Sequence, residues 1–205
     1  YVGADTSGAT ITNPIDISGF ADGTYDYTYS VPAIGSCTDV DVTVQIIINP
    51  QPVTGIPTAA IFCENDLIAN SPLDLFGQLS GNELGGTWAD DNSTGALTGS
   101  NVDITGLAVG SYNFTYSITT LDGCSNSSTV VITIEPAPES GNALAPIEIC
   151  EEDTIASSPF DLFTLLDGTQ DTNGTWYVGS DTSGATITNP IDISGFADGT
   201  YNYTY

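Results

Sequence analysis

The chain has 205 residues, with 26 Asp and Glu and no Lys, Arg or His, for a formal net charge of −26. That balance excludes an electrostatic route to nucleic acid or anionic lipid, because no side chain can neutralise a phosphate, and it excludes every side-chain salt bridge. Hydrophobic residues still make up 40%, so the composition is that of a β-rich globular protein with an acidic surface rather than a disordered acidic tail. No apolar run reaches the length of about 18 residues that spans a bilayer.

Residues 1–49 read as the back half of a domain. Alternation in ATITNPIDISGF, GTYDYTYSV and DVDVTVQIIINP predicts three strands between Gly, Asp and Pro punctuation. In the second, Tyr25, Tyr27, Tyr29 and Val31 share one face, the period-2 pattern of a half-buried antiparallel strand. The Pro residues of NPQPVTGIP then forbid helix and suit a short extended linker. A complete unit is expected over 50–136. TAAIFCEND is its first strand. SPLDLFGQLSG allows one or two helical turns, with Ser71 as N-cap and Pro72 at the first helical position. GGTWADD and NVDITGL are short strands, and SYNFTYSIT and STVVITIEP are the long closing pair. After a second Pro-rich linker, EPAPESG, residues 137–205 start a third unit that stops in mid-strand.

Tyr177–Tyr205 repeats Tyr1–Tyr29 with two changes, Ala4 to Ser180 and Asp26 to Asn202, at a spacing of 176 residues. A looser copy runs from Trp88 to Tyr116 at about half that spacing. The pattern predicts tandem domains of about 88 residues, each just large enough to bury its own core. Tyr1 and Tyr205 then read as cut points inside domains, and residues 1–49 and 137–205 should look incomplete. About seven short strands per unit with one helical turn indicate an all-β, immunoglobulin-like Greek-key sandwich.

The four cysteines occupy two repeat positions: Cys63 and Cys150 in the first strand, Cys37 and Cys124 ahead of the last. The preferred pairing is Cys63 with Cys124 inside the complete unit, Cys37 and Cys150 finding partners outside the chain, because each domain then carries its own constraint. Closing that loop would stabilise the domain by about 4 kcal/mol on a chain-entropy basis. The competing pairing joins Cys37 to Cys63 and Cys124 to Cys150 across the linkers. Zinc is a poor fit to distant pairs without His. Disulfides would place the protein outside the cytoplasm.

Cys63, the Gly86-Thr87-Trp88 turn, the GSYNFTYSI strand and Gly123-Cys124 together resemble the immunoglobulin-like or PKD-like tandem repeats of giant Bacteroidetes cell-surface proteins, of the gliding-motility adhesin type exported by the type IX route. The resemblance covers essentially the whole chain and implies a cell-surface array with disulfides. The first unit departs from it, with Ser36-Cys37 where Gly-Cys is expected.

Trp88 and Trp176 could present sugar-stacking platforms, but core packing is the simpler reading, and Tyr112, Phe114 and Tyr116 are likewise core candidates. Paired carboxylates (Glu64 with Asp66, Glu151 with Asp153, Asp90 with Asp91) have the residue type of a glycosidase pair. An active site copied into each domain of an array would be odd, however, and no enzyme is expected. Calcium is more credible than catalysis, with Glu64, Asp66, Asp90, Asp91, Glu151, Glu152 and Asp153 as candidate ligands, but solvated surface carboxylates are the simpler reading. Asp16, Asp103 and Asp192 hold one repeat position, and Asp74 and Asp161 another, which suggests hydrogen bonding to a turn. N-x-S/T occurs at Asn92, Asn113, Asn126, Asn173 and Asn202, and Asp153-Thr154-Ile155 is similar to an O-glycosylation motif of that phylum.

The expected function is structural: a segment of a long extracellular adhesin or surface filament, its partners being neighbouring repeats of the same chain and other filaments. The alternative is a glycan-binding module of a secreted polysaccharide-degrading protein, with surface glycans as partners.

Overall fold

In the computed structural model, which describes residues 1–205, the Tyr-alternating segment forms strand β1 (Gly23–Val31). It pairs antiparallel with β2 (Val40–Ile48), Tyr27 opposite Val44 and Tyr29 opposite Val42. The predicted strand over ATITNPIDISGF does not form; the bridge from Val2 to Tyr27, the Phe20–Tyr25 ring contact and the Tyr25 hydroxyl on the Ala21 carbonyl tie the first 22 residues to the hairpin. The reason is visible in the second copy. There Ile187 pairs with Trp176 and Ile191 bridges Phe160, and residues 1–49 contain no counterpart of either partner. A strand needs a ladder to satisfy its backbone.

The next segment supplies nearly everything such a hairpin lacks. After β3 (Ile56–Pro57) come β4 (Ala60–Cys63), a single helical turn α1 (Leu67–Asn70), and the short strands β5 (Leu73–Asp74) and β6 (Leu79–Ser80). Then follow β7 (Thr87–Asp90), β8 (Leu97–Thr98), β9 (Asn101–Val102), and the long β10 (Gly110–Thr119) and β11 (Ser125–Glu135). β4, β11, β10 and β7 form one sheet in that order, and β5, β9 and β8 form a second. Period-2 alternation aims Phe114, Tyr116 and Ile118 of β10 and Val130, Ile132 and Ile134 of β11 inward. There they meet Val102, Ile104, Leu75 and Leu79 from the other side. This core draws only on residues 62–134. The hairpin of residues 1–49 adds nothing to it.

That difference shows in exposure. Tyr29 and Val44 of the first hairpin are 70% and 59% exposed, whereas their repeat counterparts Tyr116 and Val130 are fully buried. Strands account for 34% of the chain and helices for 10%, an all-β fold in several sheets. Two compact units result, Tyr1–Glu135 and Pro136–Tyr205. In the second unit, β12 (Trp176–Val178) pairs with β13 (Thr186–Ile187) and β14 (Tyr203–Thr204), over a small core of Leu162, Trp176, Ile191 and Ile193.

β4 runs parallel to β11, with Ala60 opposite Ile132 and Cys63 opposite Glu135. The linker ahead of it already follows the same line. The Gln51 amide donates to the Ser125 carbonyl (3.2 Å), the Asn126 amide to the Pro52 carbonyl (2.9 Å), and Thr54 and Ser128 share a hydroxyl contact (2.7 Å). Residues 51–63 therefore track β11 from its first residue to its last.

The helical turn begins later than its local signal predicts. Ser71-Pro72 is a cis peptide, and the 3-10 turn Leu75–Gln78 starts after Asp74, whose carboxylate accepts from the Phe76 N–H. The Ser71 hydroxyl is engaged elsewhere: it donates to Asp103 (2.9 Å) and accepts from the Ile104 N–H (3.2 Å).

Candidate functional site

Three groups of residues carry chemistry: an aromatic cluster, the carboxylates and the cysteines. The aromatic cluster is set by β10 and β7, whose register places Trp88 opposite Tyr116. The two rings lie 5.1 Å apart, and Phe76 meets both edge-on at 5.6 and 5.2 Å. The Tyr116 hydroxyl donates to the Glu83 carbonyl and accepts from the Gly86 N–H, both at 2.9 Å. Gly86 fits beneath the ring because it lacks a Cβ; one added there would lie 2.4 Å from the Ser117 carbonyl oxygen and 2.7 Å from the Tyr116 ring. This is the physical content of the Gly-Thr-Trp turn. The second unit rebuilds the arrangement from Phe163, Trp176, Tyr205 and Gly174.

Among the proposed core residues, Phe114, Tyr116 and Trp176 are buried, while Trp88 and Tyr112 are half-buried and packed against the core. Both indole N–H groups are shut away from solvent without a hydrogen-bond partner. Beside Trp88 lies a shallow open depression of about 560 Å³ lined by Phe76, Thr87, Leu97 and Ser100. Tyr112 binds the Ala108 carbonyl through its hydroxyl, as Tyr25 and Tyr201 bind Ala21 and Ala197.

The carboxylates serve turns. Asp103 accepts from the Thr105 N–H and hydroxyl and from Ser71, and Asp192 from the Ser194 N–H and the Ser158 hydroxyl. Asp16 accepts from the Ser18 N–H, and Asp161 from the Phe163 N–H. Asp90 takes the Asn92 and Gly95 N–H groups and the Thr94 hydroxyl, and Asp91 takes the Thr115 hydroxyl. Glu64 and Asp66 lie together on one 3-10 turn, and Glu151, Glu152 and Asp153 on its counterpart. No three acids or thiols converge in an arrangement that could hold a metal ion. Nor does any acid pair named above span two elements across a cleft, as a pair flanking a glycosidic bond must. Thr154 is buried and donates to the Glu151 carbonyl, and the Asn92 and Asn126 side chains are bound to backbone.

Comparison with protein-family models, with curated proteins and with solved structures gives no match.

The cysteines correct the pairing expected from sequence. All four are free thiols. Cys63 adjoins Glu135 at the last residue of β11, while Cys124 immediately precedes its first. At about 3.3 Å of rise per residue the two stand roughly 35 Å apart, whereas a disulfide needs Cα atoms within about 7 Å. The parallel course of β4 forbids the Cys63–Cys124 bond. Cys124 instead lies against the arriving chain, its sulfur 3.9 Å from the Asn49 carbonyl oxygen.

The turn aspartates make acid sensitivity predictable. The Thr105 hydroxyl, then Ser71 and the Thr105 N–H, hold Asp103 below the ordinary carboxylate value; the Ser194 N–H and the Ser158 hydroxyl hold Asp192 down to about 2. At Asp90 burial pushes upward, but the Thr94, Gly95 and Asn92 donors together outweigh it. A depressed folded-state value means that the unfolded chain binds protons first. The contribution is therefore present above about pH 4 and lost as pH falls toward about 2. Relief of the general negative repulsion acts in the opposite direction, so the informative comparison is a difference. The gap in melting temperature between the wild-type chain and Asp103→Ala should narrow from pH 5 to pH 2.5. A gap that stays constant contradicts a role for the ionised carboxylate.

Proposed function

We propose that this chain is a structural segment of a long extracellular adhesin or surface filament, built from immunoglobulin-like tandem domains in series. The observation that carries the reading is the duplication of one internal framework. Phe76, Trp88, Tyr116 and the glycine beneath the ring recur as Phe163, Trp176, Tyr205 and Gly174 with ring separations matching to within 0.1 Å. Side chains duplicated this closely serve the fold of each domain rather than a singular site, and modules joined in series confer reach. The absence of Lys and Arg removes trypsin-type cleavage sites, and uniform negative charge keeps long fibres apart. The exposed Tyr29 and Val44 face supports the same reading, since a preceding domain half resembling residues 137–176 would cover it.

Antibodies raised against the chain and applied to intact cells of its source organism test this by electron microscopy. Label spaced along fibres outside the envelope is expected; label reached only after permeabilisation overturns the proposal. A glycan-binding module is the second reading, favoured by the depression beside Trp88. Binding to a polysaccharide panel that Trp88→Phe abolishes without lowering the melting temperature would establish it instead.

A further inference from the structure

We infer that consecutive repeats are bolted together by a disulfide between the first-strand cysteine of one repeat and the pre-last-strand cysteine of the repeat that follows. The inference rests on the tandem-array reading and adds a covalent link that neither sequence-based pairing contains.

The two cysteine types of a single repeat lie at opposite poles. Cys63 stands where the chain leaves, on the ladder position opposite Glu135. Cys124 stands where the chain arrives, its sulfur against the Asn49 carbonyl. The ladder registers show how these poles relate. Tyr25 pairs with Ile46 and Tyr27 with Val44 in the first hairpin; Tyr112 pairs with Ile132 and Phe114 with Val130 in the second. Continuing each strand, Ile48 corresponds to Ile134, Asn49 to Glu135, and Pro50 to Pro136. Asn49 and Glu135 are therefore one repeat position, the last residue before the linker. That position has an outgoing cysteine as its strand neighbour, about 4.8 Å away, and an incoming cysteine of the next repeat in contact with its carbonyl. Both thiols converge on one residue, at a separation of the order that a disulfide spans.

The free state of all four thiols follows directly. Cys63 and Cys124 belong to the two successive junctions on either side of one repeat, and Cys37 and Cys150 to two further ones, so no junction within the chain holds both members of a pair. Formation is an exchange with a disulfide oxidant such as glutathione disulfide. A cysteine thiolate attacks it to give a mixed disulfide, and the second cysteine displaces glutathione. Two cysteine thiols lose two electrons and two protons, and one glutathione disulfide becomes two glutathione thiols.

The duplication allows a test with the chain's own sequence. Because Tyr177–Tyr205 repeats Tyr1–Tyr29, a copy of residues 30–50 added after Tyr205 continues the third repeat in place and brings its incoming cysteine. A copy of residues 136–176 placed before Tyr1 completes the first repeat and brings its outgoing cysteine. After oxidation with glutathione disulfide, acid-directed proteolysis and non-reducing peptide mapping should find Cys63 bonded to the added copy of Cys37 in the first lengthened chain. In the second, Cys124 should be bonded to the added copy of Cys150. In each, that pair loses two hydrogens in mass and its reaction with iodoacetamide. A Cys63–Cys124 peptide in either chain or in the 205-residue chain overturns the inference, as do free thiols in a lengthened chain with folded, protected strands. Should one lengthened chain fail to fold, the other decides. These outcomes leave the array reading untouched, because that reading falls only on the labelling of cells.

Discussion

Replacing Tyr116 by Ala should unfold the segment of residues 50–135 at ordinary temperature, or bring it close to unfolding. The ring is fully buried between Trp88 and Phe76, and truncating a buried aromatic to Ala costs about 3–5 kcal/mol through lost transfer energy and the cavity left behind. The hydroxyl adds a second loss, since the Gly86 N–H and the Glu83 carbonyl both lose their partner. Small domains have about 5–15 kcal/mol in hand, so a single substitution consumes much of it. Hydrogen exchange of the β10 and β11 amides across a urea series reads this directly. Tyr116→Phe separates the two components: it keeps the ring and should cost about 1–3 kcal/mol from the two unpaired backbone groups. Equal losses for Tyr116→Phe and Tyr116→Ala would mean that the ring itself contributes nothing.

The second large effect is expected at Gly86, which has no side chain to lose. Its position beneath Tyr116 leaves room for hydrogen only. An added methyl would sit 2.4 Å from the Ser117 carbonyl oxygen and 2.7 Å from the Ile118 side chain, closer than real contacts allow. Backbone on one side and a buried ring on the other cannot step aside cheaply, and overpacking of this kind costs about 1–3 kcal/mol. Gly86→Ala should lower the urea midpoint with an unchanged m-value, the mark of altered stability rather than altered compactness. Gly174→Ala should cost less, because the equivalent methyl meets only the outer end of the partly exposed Tyr205 ring, at 2.6 Å, and that side chain can shift. Gly99→Ala is the control. Nothing lies within 4 Å of its Cβ position, so only the strain of its positive φ remains.

Much of the fold could be read from alternation, because β10 and β11 find their partners next to each other in the chain. Their inward residues, Phe114, Tyr116, Val130 and Ile132, follow from period 2 alone. The turn role of Asp103 and Asp192 was also legible, since Asp followed two residues on by Thr or Ser is a local motif. What stayed hidden depended on residues far away. Ser71-Pro72 carries every local mark of a helix start, yet its hydroxyl is held by Asp103 and Ile104, more than thirty residues on. ATITNPIDI forms ladder contacts only where Phe160 and Trp176 are present to receive it. The cysteine pairing failed for a related reason. Spacing placed one cysteine in the first strand and one ahead of the last, and it carried no information about strand direction. Parallel pairing of β4 with β11 sends them to opposite ends.

The same parallel pairing governs how a repeat answers to pulling. Tension arriving at Asn49 enters the beginning of the 51–63 segment, and tension departing at Glu135 leaves from the end of β11. The two flanking segments are thus drawn in opposite directions along their common axis. Their evenly spaced, slanted hydrogen bonds and the Gln51, Asn126 and Thr54 contacts ahead of them are loaded in shear and must give way together. A terminal strand lying antiparallel to its neighbour, pulled at their adjacent ends, would unzip one bond at a time. Residues 51–135 are therefore wired to resist a pull applied between Asn49 and Glu135, parallel to β11.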